Sequence, residues 1–234
     1  MPPLTRADIP ELMDQPDLSQ EELSSALGDL ARLNRICGGR RMITNLLESV
    51  IPEGVGRTWK ILDIGTGSGD IPGHVLNWAY RTDRRIRICA VDFNLRSLKI
   101  ASSESLNNEV QFVCADAGRL PFGPSSFDVV MASQFIHHFR MSEAQGILRS
   151  FREMAREAVV ISDLHRTRAS LLLTYLGTRL FVRSPIVHCD GPISIRRSFI
   201  PSEFTALAEE AGYRDFKVIT RFPCRLAFIG KTRD

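Results

Sequence analysis

The sequence predicts an α/β chain built on a doubly wound, mostly parallel sheet of seven strands. Three observations predict it. From residue 59 onward, five short apolar, β-rich runs (59–64, 86–92, 110–114, 127–132 and 158–162) alternate with segments of helical period, the pattern of a parallel sheet covered on both faces. A glycine-rich turn joins the first run to the first following helix, where such folds bring backbone against a ligand. Two further runs, 213–221 and 225–231, flank Pro223 as a hairpin that closes the sheet.

Residues 1–18 hold four of the 12 prolines and four acidic residues against one arginine, with no apolar period, and read as an extended, mobile arm. Ser19 and Glu22 form a capping box ahead of Leu23, Leu27, Leu30 and Leu33, which gives an amphipathic helix stopping near Gly38 and Gly39. A second helix carries Met42, Ile43, Leu46, Leu47 and Val50 on one face, before Pro52 and Gly54. These pieces make an N-terminal region, 1–56, ahead of a main domain over 57–234. Within the main domain, helices are expected over 71–80 and 95–103, with a third capped by Ser142 that turns Ala144, Ile147, Leu148, Phe151 and Met154 to the sheet. After the fifth strand the alternation breaks. Residues 165–200 read as a lid or substrate insert, a Leu-rich helix over 169–182 followed by a loop with Pro185, Gly191 and Pro192. Pro201 then opens a helix ending at Gly212.

Composition narrows the classes. With 44% hydrophobic and 24% charged residues in 234, the chain can bury a core, which excludes a disordered or fibrous protein. Thirty basic against 27 acidic residues leave a net charge of +3, too small to imply a nucleic-acid or anionic-membrane partner. The five cysteines are widely spaced without a C-x-x-C pair, so no disulfide framework and no metal site is expected. No apolar stretch approaches the roughly 18 residues of a spanning helix, and the expected location is cytoplasmic.

The chemistry concentrates at Asp63-Ile64-Gly65-Thr66-Gly67-Ser68-Gly69-Asp70, where the first strand turns into a helix. Alternate glycines permit left-handed backbone and close approach of a ligand, and amides at the helix start face anionic oxygens. A dinucleotide motif would need a small residue at position 70 or 72, which hold Asp70 and Pro72, and the triphosphate loop ending in G-K-[ST] is missing.

This D-x-G-x-G-x-G turn resembles motif I of the class I S-adenosylmethionine-dependent methyltransferases, a Rossmann-like family. The second run ends in Val91-Asp92-Phe93 and the third in Cys114-Ala115-Asp116-Ala117. The resemblance implies that Asp92 accepts from both ribose hydroxyls, that Asp116 and the Ala117 amide meet the adenine, and that Phe93 lines its edge. A carboxylate, with two acceptor oxygens, suits a vicinal diol. The fourth run through Gln134 resembles motif IV, and Phe135-Ile136-His137-His138-Phe139 is similar to the L-H-H segment of methyltransferases of the quinone-biosynthesis type. The implied cofactor is S-adenosyl-L-methionine, held by Asp63, Gly65, Thr66, Gly67, Gly69, Asp92, Phe93, Asp116, Ala117 and Gln134.

Methyl transfer by in-line displacement needs an aligned acceptor and, for some acceptors, a base. His137, His138 and His165 follow the fourth and fifth strands at the ligand-binding edge and are the candidate bases. His188 and Arg196, in the insert, are the candidate acceptor contacts, and the 171–176 stretch with Phe181 is a candidate apolar wall. The expected acceptor is a small, mostly apolar phenol, quinol or polyketide-like molecule methylated at oxygen or an activated carbon, by an enzyme that can form a homodimer. A nucleic-acid methyltransferase, and a non-catalytic cofactor-binding or membrane-docking protein using the 169–182 helix, are the alternatives. The chain lacks the N-P-P-Y or D-P-P-Y tetrapeptide and an appended basic domain that the first of these would use.

Overall fold

The computed structural model describes residues 4–54, 56–104 and 109–232; positions 1–3 of the arm, with Pro2 and Pro3, lie outside the described residues. Seven strands form one sheet in the order β3-β2-β1-β4-β5-β7-β6. The strands are β1 (Thr58–Ile64), β2 (Arg85–Asp92), β3 (Val110–Cys114), β4 (Phe127–Ser133), β5 (Ala155–Leu164), β6 (Phe216–Arg221) and β7 (Arg225–Lys231). All neighbours pair in parallel except β7, which runs antiparallel to both β5 and β6. Strand order reverses between β1 and β4, the switch point at whose carboxyl edge such sheets take ligands.

Helices bury the sheet on both faces. On one side α2 (Gly39–Glu48) and α3 (Asp70–Arg81) set Ile43, Leu47, Val75 and Trp78 against Ile61, Ile88 and Val129. On the other, α5 (Met141–Met154) and α8 (Pro201–Glu210) set Leu148, Phe151 and Phe204 against Leu62, Val130 and Phe228. Coverage on both faces explains why β4 reads as a continuous apolar run rather than an alternating one. Its exception, Asp128, is buried but satisfied, accepting from the Lys60 amide at 2.8 Å and pairing with Arg156 at 3.0 Å.

Several boundaries move for identifiable reasons. Helix α5 is capped at Arg140, not Ser142. Glu143, three residues on, accepts from the Arg140 amide at 2.8 Å and closes the turn, leaving Ser142 inside the helix. Strand β5 begins at Ala155 because α5 passes into it without a loop.

The largest correction concerns the insert. After α6 (Arg168–Phe181), residues expected as a loop form α7 (Pro185–Arg197). Pro185 occupies the first turn, where its missing N–H costs nothing. Gly191 does not loosen the chain; a Cβ there would stand 2.8 Å from Thr178 and 3.0 Å from Thr174 of α6, so glycine lets the two helices touch. Pro192 does sit inside the helix, a cost of about 3 kcal/mol that the packing of α7 offsets.

The arm is also docked rather than loose. A 3₁₀ turn (Leu12–Asp14) donates its Leu12 and Met13 amides to the two Asp190 oxygens at 2.8 and 2.9 Å. Arg6 donates to the carbonyls of Arg197 and Phe139, at 2.5 and 2.6 Å, and lies over the Phe199 ring. From α1 (Gln20–Ile36), Asp29 accepts from the Arg183 and Ser184 amides at the start of α7, both at 2.7 Å. Ala26, Val182, Ile186 and Val187 share one apolar cluster with Leu12 and Met13. Arm, α1 and insert therefore make a single roof over the carboxyl edge of the sheet. Among the described residues no helix is long and apolar enough to cross a membrane.

Asp190→Ala strips the acceptors from two arm amides, at about 1–3 kcal/mol. Limited proteolysis should then cut within residues 4–18 of the variant under conditions that spare the parent; equal resistance would contradict a docked arm.

Candidate active site

Beneath the roof lies a cavity of about 860 Å³, within the range of small-molecule sites. The glycine turn forms its floor. Gly65, Gly67 and Gly69 all take left-handed φ, at 73°, 54° and 74°, but their surroundings differ. A Cβ on Gly65 would meet the Phe135 ring at 2.3 Å, and one on Gly69 would meet Ala101 at 3.1 Å, whereas one on Gly67 would touch only Leu27, at 3.4 Å. Gly65 and Gly67 line the cavity; Gly69 does not, and serves as N-cap of α3. The three glycines, all expected to clear space for a ligand, differ in what else they do: Gly65 and Gly69 also make room for Phe135 and Ala101 of the protein itself.

The strand-end acids stand around this floor. Asp92 accepts from the Gly67 amide at 2.8 Å and the Asn94 amide at 2.9 Å, one on each oxygen. Burial raises its pKa and these bonds oppose the rise; each oxygen keeps a lone pair for a further donor. Asp116 uses Oδ1 to hold the Gly118 amide at 2.8 Å, and Ala117 beside it is buried at the cavity wall. The Phe93 ring lines the cavity from an exposed position, 64% accessible. Burial, reinforced by the charges of Asp70 and Asp92, pushes Asp63 up to about 7, so its carboxyl can donate as well as accept. Gln134 takes φ 51°, unusual for a non-glycine, a strain of about 1–3 kcal/mol held by the hydrogen bond its backbone N–H donates to the Ser162 carbonyl at 2.8 Å. That backbone turns its side-chain amide onto Asn34 of α1.

The histidines separate sharply. His137 is buried in the 3₁₀ turn Ile136–His138, with Nδ1 2.6 Å from Asp163 at the end of β5 and Nε2 3.5 Å from Glu11 of the arm. Burial works against its charge, yet the two carboxylates outweigh it and raise the pKa to about 10. Glu11, despite burial, is drawn down to about 2 by His137, and Asp163 is lowered by the same partner against its own burial. His138 stacks on His137 with centroids 4.4 Å apart, holds Asp14 through Nδ1 at 3.1 Å and lines the cavity. Glu11, His137 and His138 bring ligand-type atoms within 4.8 Å of one another. However, both ring nitrogens of His137 already face carboxylates, and near-parallel stacking sets the two rings' lone-pair directions side by side rather than toward one ion.

His165, His188 and Arg196 do not line the cavity. The ring of His165 is half-buried beyond β5, where burial lowers its pKa. His188 turns Nε2 to the Val182 carbonyl at 3.2 Å, and exposed Arg196 meets the arm through its carbonyl, 3.0 Å from the Ala7 amide. The helical form of 185–197 is the reason: it commits His188 and Arg196 to its outer faces while Val187, Gly191 and Ser194 face inward. Of the expected apolar wall, Leu173, Thr174 and Phe181 line the cavity, Leu173 and Phe181 from exposed positions, while Leu172 and Leu176 are exposed and do not line it. Sequence reasoning missed Glu11, Asp163, Asn34 and Arg225, and the contribution of Leu27 and Leu30. The one available signal was Asp163, an acid closing an apolar strand as Asp92 does.

Comparison with known proteins settles the family. The Methyltransferase domain family model matches residues 61–158, the span from β1 through β5 that builds the cavity floor. A demethylmenaquinone methyltransferase of Roseiflexus castenholzii is 28% identical over 179 residues, 70% of each chain. The chain is a class I S-adenosylmethionine-dependent methyltransferase. A second relative of this methyltransferase, the demethylmenaquinone methyltransferase of Thermotoga maritima, is 29% identical over 117 residues, 50% of this chain and 45% of that one. The fold is shared with a SAM-dependent methyltransferase from Aquifex aeolicus (TM-score 0.64, 16% identity, 90% of this chain and 98% of that one). It is also shared with human N-acetylserotonin methyltransferase in complex with SAM (TM-score 0.66, 16% identity, 91% and 56%).

The cavity suits the adenosyl cofactor of this family. Ser133 Oγ and Arg225 Nη1 belong to lining residues, are buried and have no protein hydrogen-bond partner; buried polar atoms of this kind are rare unless a ligand or water serves them.

The glycines yield a two-part prediction. Gly65→Ala should lower the melting temperature, because Phe135 must move, while Gly67→Ala should weaken binding of S-adenosylhomocysteine more than it lowers stability. Thermal melts and titration calorimetry separate the two; matching effects from both variants would contradict the different roles.

Proposed function

We propose that this methyltransferase transfers a methyl group to oxygen or an activated carbon of a small, mostly apolar acceptor of the phenol, quinol or polyketide class. One observation carries the reading. One cavity is lined both by Asp92 and the glycine turn and by the apolar side chains of Leu27, Leu30, Leu173 and Phe181, with His138 among them. The names of the relatives point the same way, since they act on demethylmenaquinone. The roof of arm, α1, α6 and α7 suits a small molecule better than a polynucleotide strand.

When bound, the cofactor supplies an electrophilic methyl group on a sulfonium. Asp63, Gly65, Thr66, Gly67 and Gln134 line its bed, while Asp92, Phe93, Asp116 and Ala117 receive the ribose and adenine. The apolar wall and docked arm would hold the acceptor in line with the methyl group, and such alignment is worth about 7–11 kcal/mol. A base adds about 10²- to 10⁴-fold. His137, held protonated, has no lone pair to offer and positions the arm and the 3₁₀ turn. His138 is the base: the Asp14 carboxylate fixes the proton on Nδ1, which leaves Nε2 to accept one from the acceptor. His165, outside the cavity, has no part in proton transfer, and acceptor contact falls to the apolar wall rather than to His188 and Arg196.

Incubation with methyl-labelled cofactor and a panel of phenols, quinols, amines and RNA tests this. Label should enter phenols or quinols. His138→Gln should lower kcat about 10²- to 10⁴-fold with little change in cofactor affinity. Label in RNA alone, or an unchanged kcat, would overturn the reading.

A further inference from the structure

Arg225 opens β7, and because β7 is antiparallel it starts where β5 ends, at the ligand-binding edge. Its side chain is almost fully buried, 4% exposed. Nη2 donates to Asn34 Oδ1 at 3.4 Å, while Nη1 has no partner. A charged donor left unpaired in the interior carries the full desolvation cost of that group, and burial accordingly lowers the Arg225 pKa. The space around the guanidinium is reserved: a Cβ on Gly39 would stand 2.7 Å from Nη2 and 2.8 Å from Asn34 Oδ1.

Its neighbours locate the missing acceptor. Asn34 also donates to Asp70, the first residue of α3, at 3.4 Å, and receives the Gln134 amide from the end of β4. Arg40 pairs with Asp70 at 3.1 Å. Through Asn34, Arg225 thus stands beside both sides of the switch point. Asp92, which ends β2, and Asp116, two residues past the end of β3, are the proposed adenosyl contacts, and both strands lie on the far side of β1. A ligand whose sugar lies at β2 and whose sulfur lies over the glycine turn directs its remaining end toward β4 and β7. In the cofactor of this family that end is an α-amino acid, bearing a carboxylate that a guanidinium matches.

We propose that Arg225 binds the cofactor's carboxylate by donating to it from the unpartnered Nη1, while Asn34 accepts from Nη2 and the missing side chain of Gly39 leaves the guanidinium its space. The inference rests on the cofactor assignment of the family and adds to it a residue outside the glycine turn and strand-end acids.

Calorimetric titration with two nucleosides tests it without an activity assay. S-adenosylhomocysteine carries the amino-acid end, and 5′-methylthioadenosine lacks it. Arg225→Met should weaken the first about 10- to 100-fold and leave the second unchanged, and its undiminished methylthioadenosine binding also proves the variant folded. Arg225→Lys, which keeps the charge, should recover part of the loss. Equal loss for both nucleosides would make Arg225 a structural brace and overturn the proposal, as would no loss for either. If the parent binds neither nucleoside, the cofactor assignment fails together with the proposal.

Discussion

A buried charge holds the site together. The imidazolium of His137 sits between Asp163, at the tip of β5, and Glu11, on the arm, so one side chain ties the sheet to the roof. Two carboxylates around a buried cation are costly to bring out of water, and a hydrophobic replacement of such a set is often no less stable. Geometry is what the arrangement secures: removing His137 leaves two facing carboxylates without their cation, and removing Glu11 cuts the tie between the arm and the sheet. The signs of the shifts define its pH window. Glu11, drawn down to about 2, contributes stability that is present above its ordinary range and lost as pH falls toward that value. His137, raised to about 10, contributes stability that is present below its ordinary pKa and lost as pH rises through 10. Around neutrality the clasp is closed.

The clasp also divides labour between adjacent histidines. His137 gives its ring nitrogens to structure, and Arg6 and Arg197 gather the carbonyls of His137, His138 and Phe139 around it. The backbone of the 3₁₀ turn is thereby fixed on every side, and His138 inherits a set position at the cavity wall. Base strength matters less here than placement, since alignment of the acceptor outweighs proton transfer by several kcal/mol.

What the sequence made legible was local. Strand and helix periods, the Gly65–Gly69 turn and the acids closing β2 and β3 are encoded over a few residues, and the structure sets them where those patterns imply. What escaped was contact between distant segments. Glu11 and Asp163, far apart in the chain, both reach His137, and no period connects them. Arg225 read as an ordinary hairpin residue because nothing nearby marks it as buried. Pro185, Gly191 and Pro192 suggested a loop, but Gly191 is small so that α7 can press on α6, and the helix carries Pro192 at a cost repaid by packing. Leu27 and Leu30 read as a core stripe, which they are; the same stripe also walls the cavity.

The most direct measurement is the pH titration of the His137 ring by NMR in isotopically labelled protein. A clasped imidazolium should show no midpoint between about pH 5 and pH 8 and should release its proton only near pH 10. A midpoint near the ordinary histidine value, about 6.5, would mean that His137 is free to exchange protons at neutrality, contradicting both the clasp and the assignment of His138 as base.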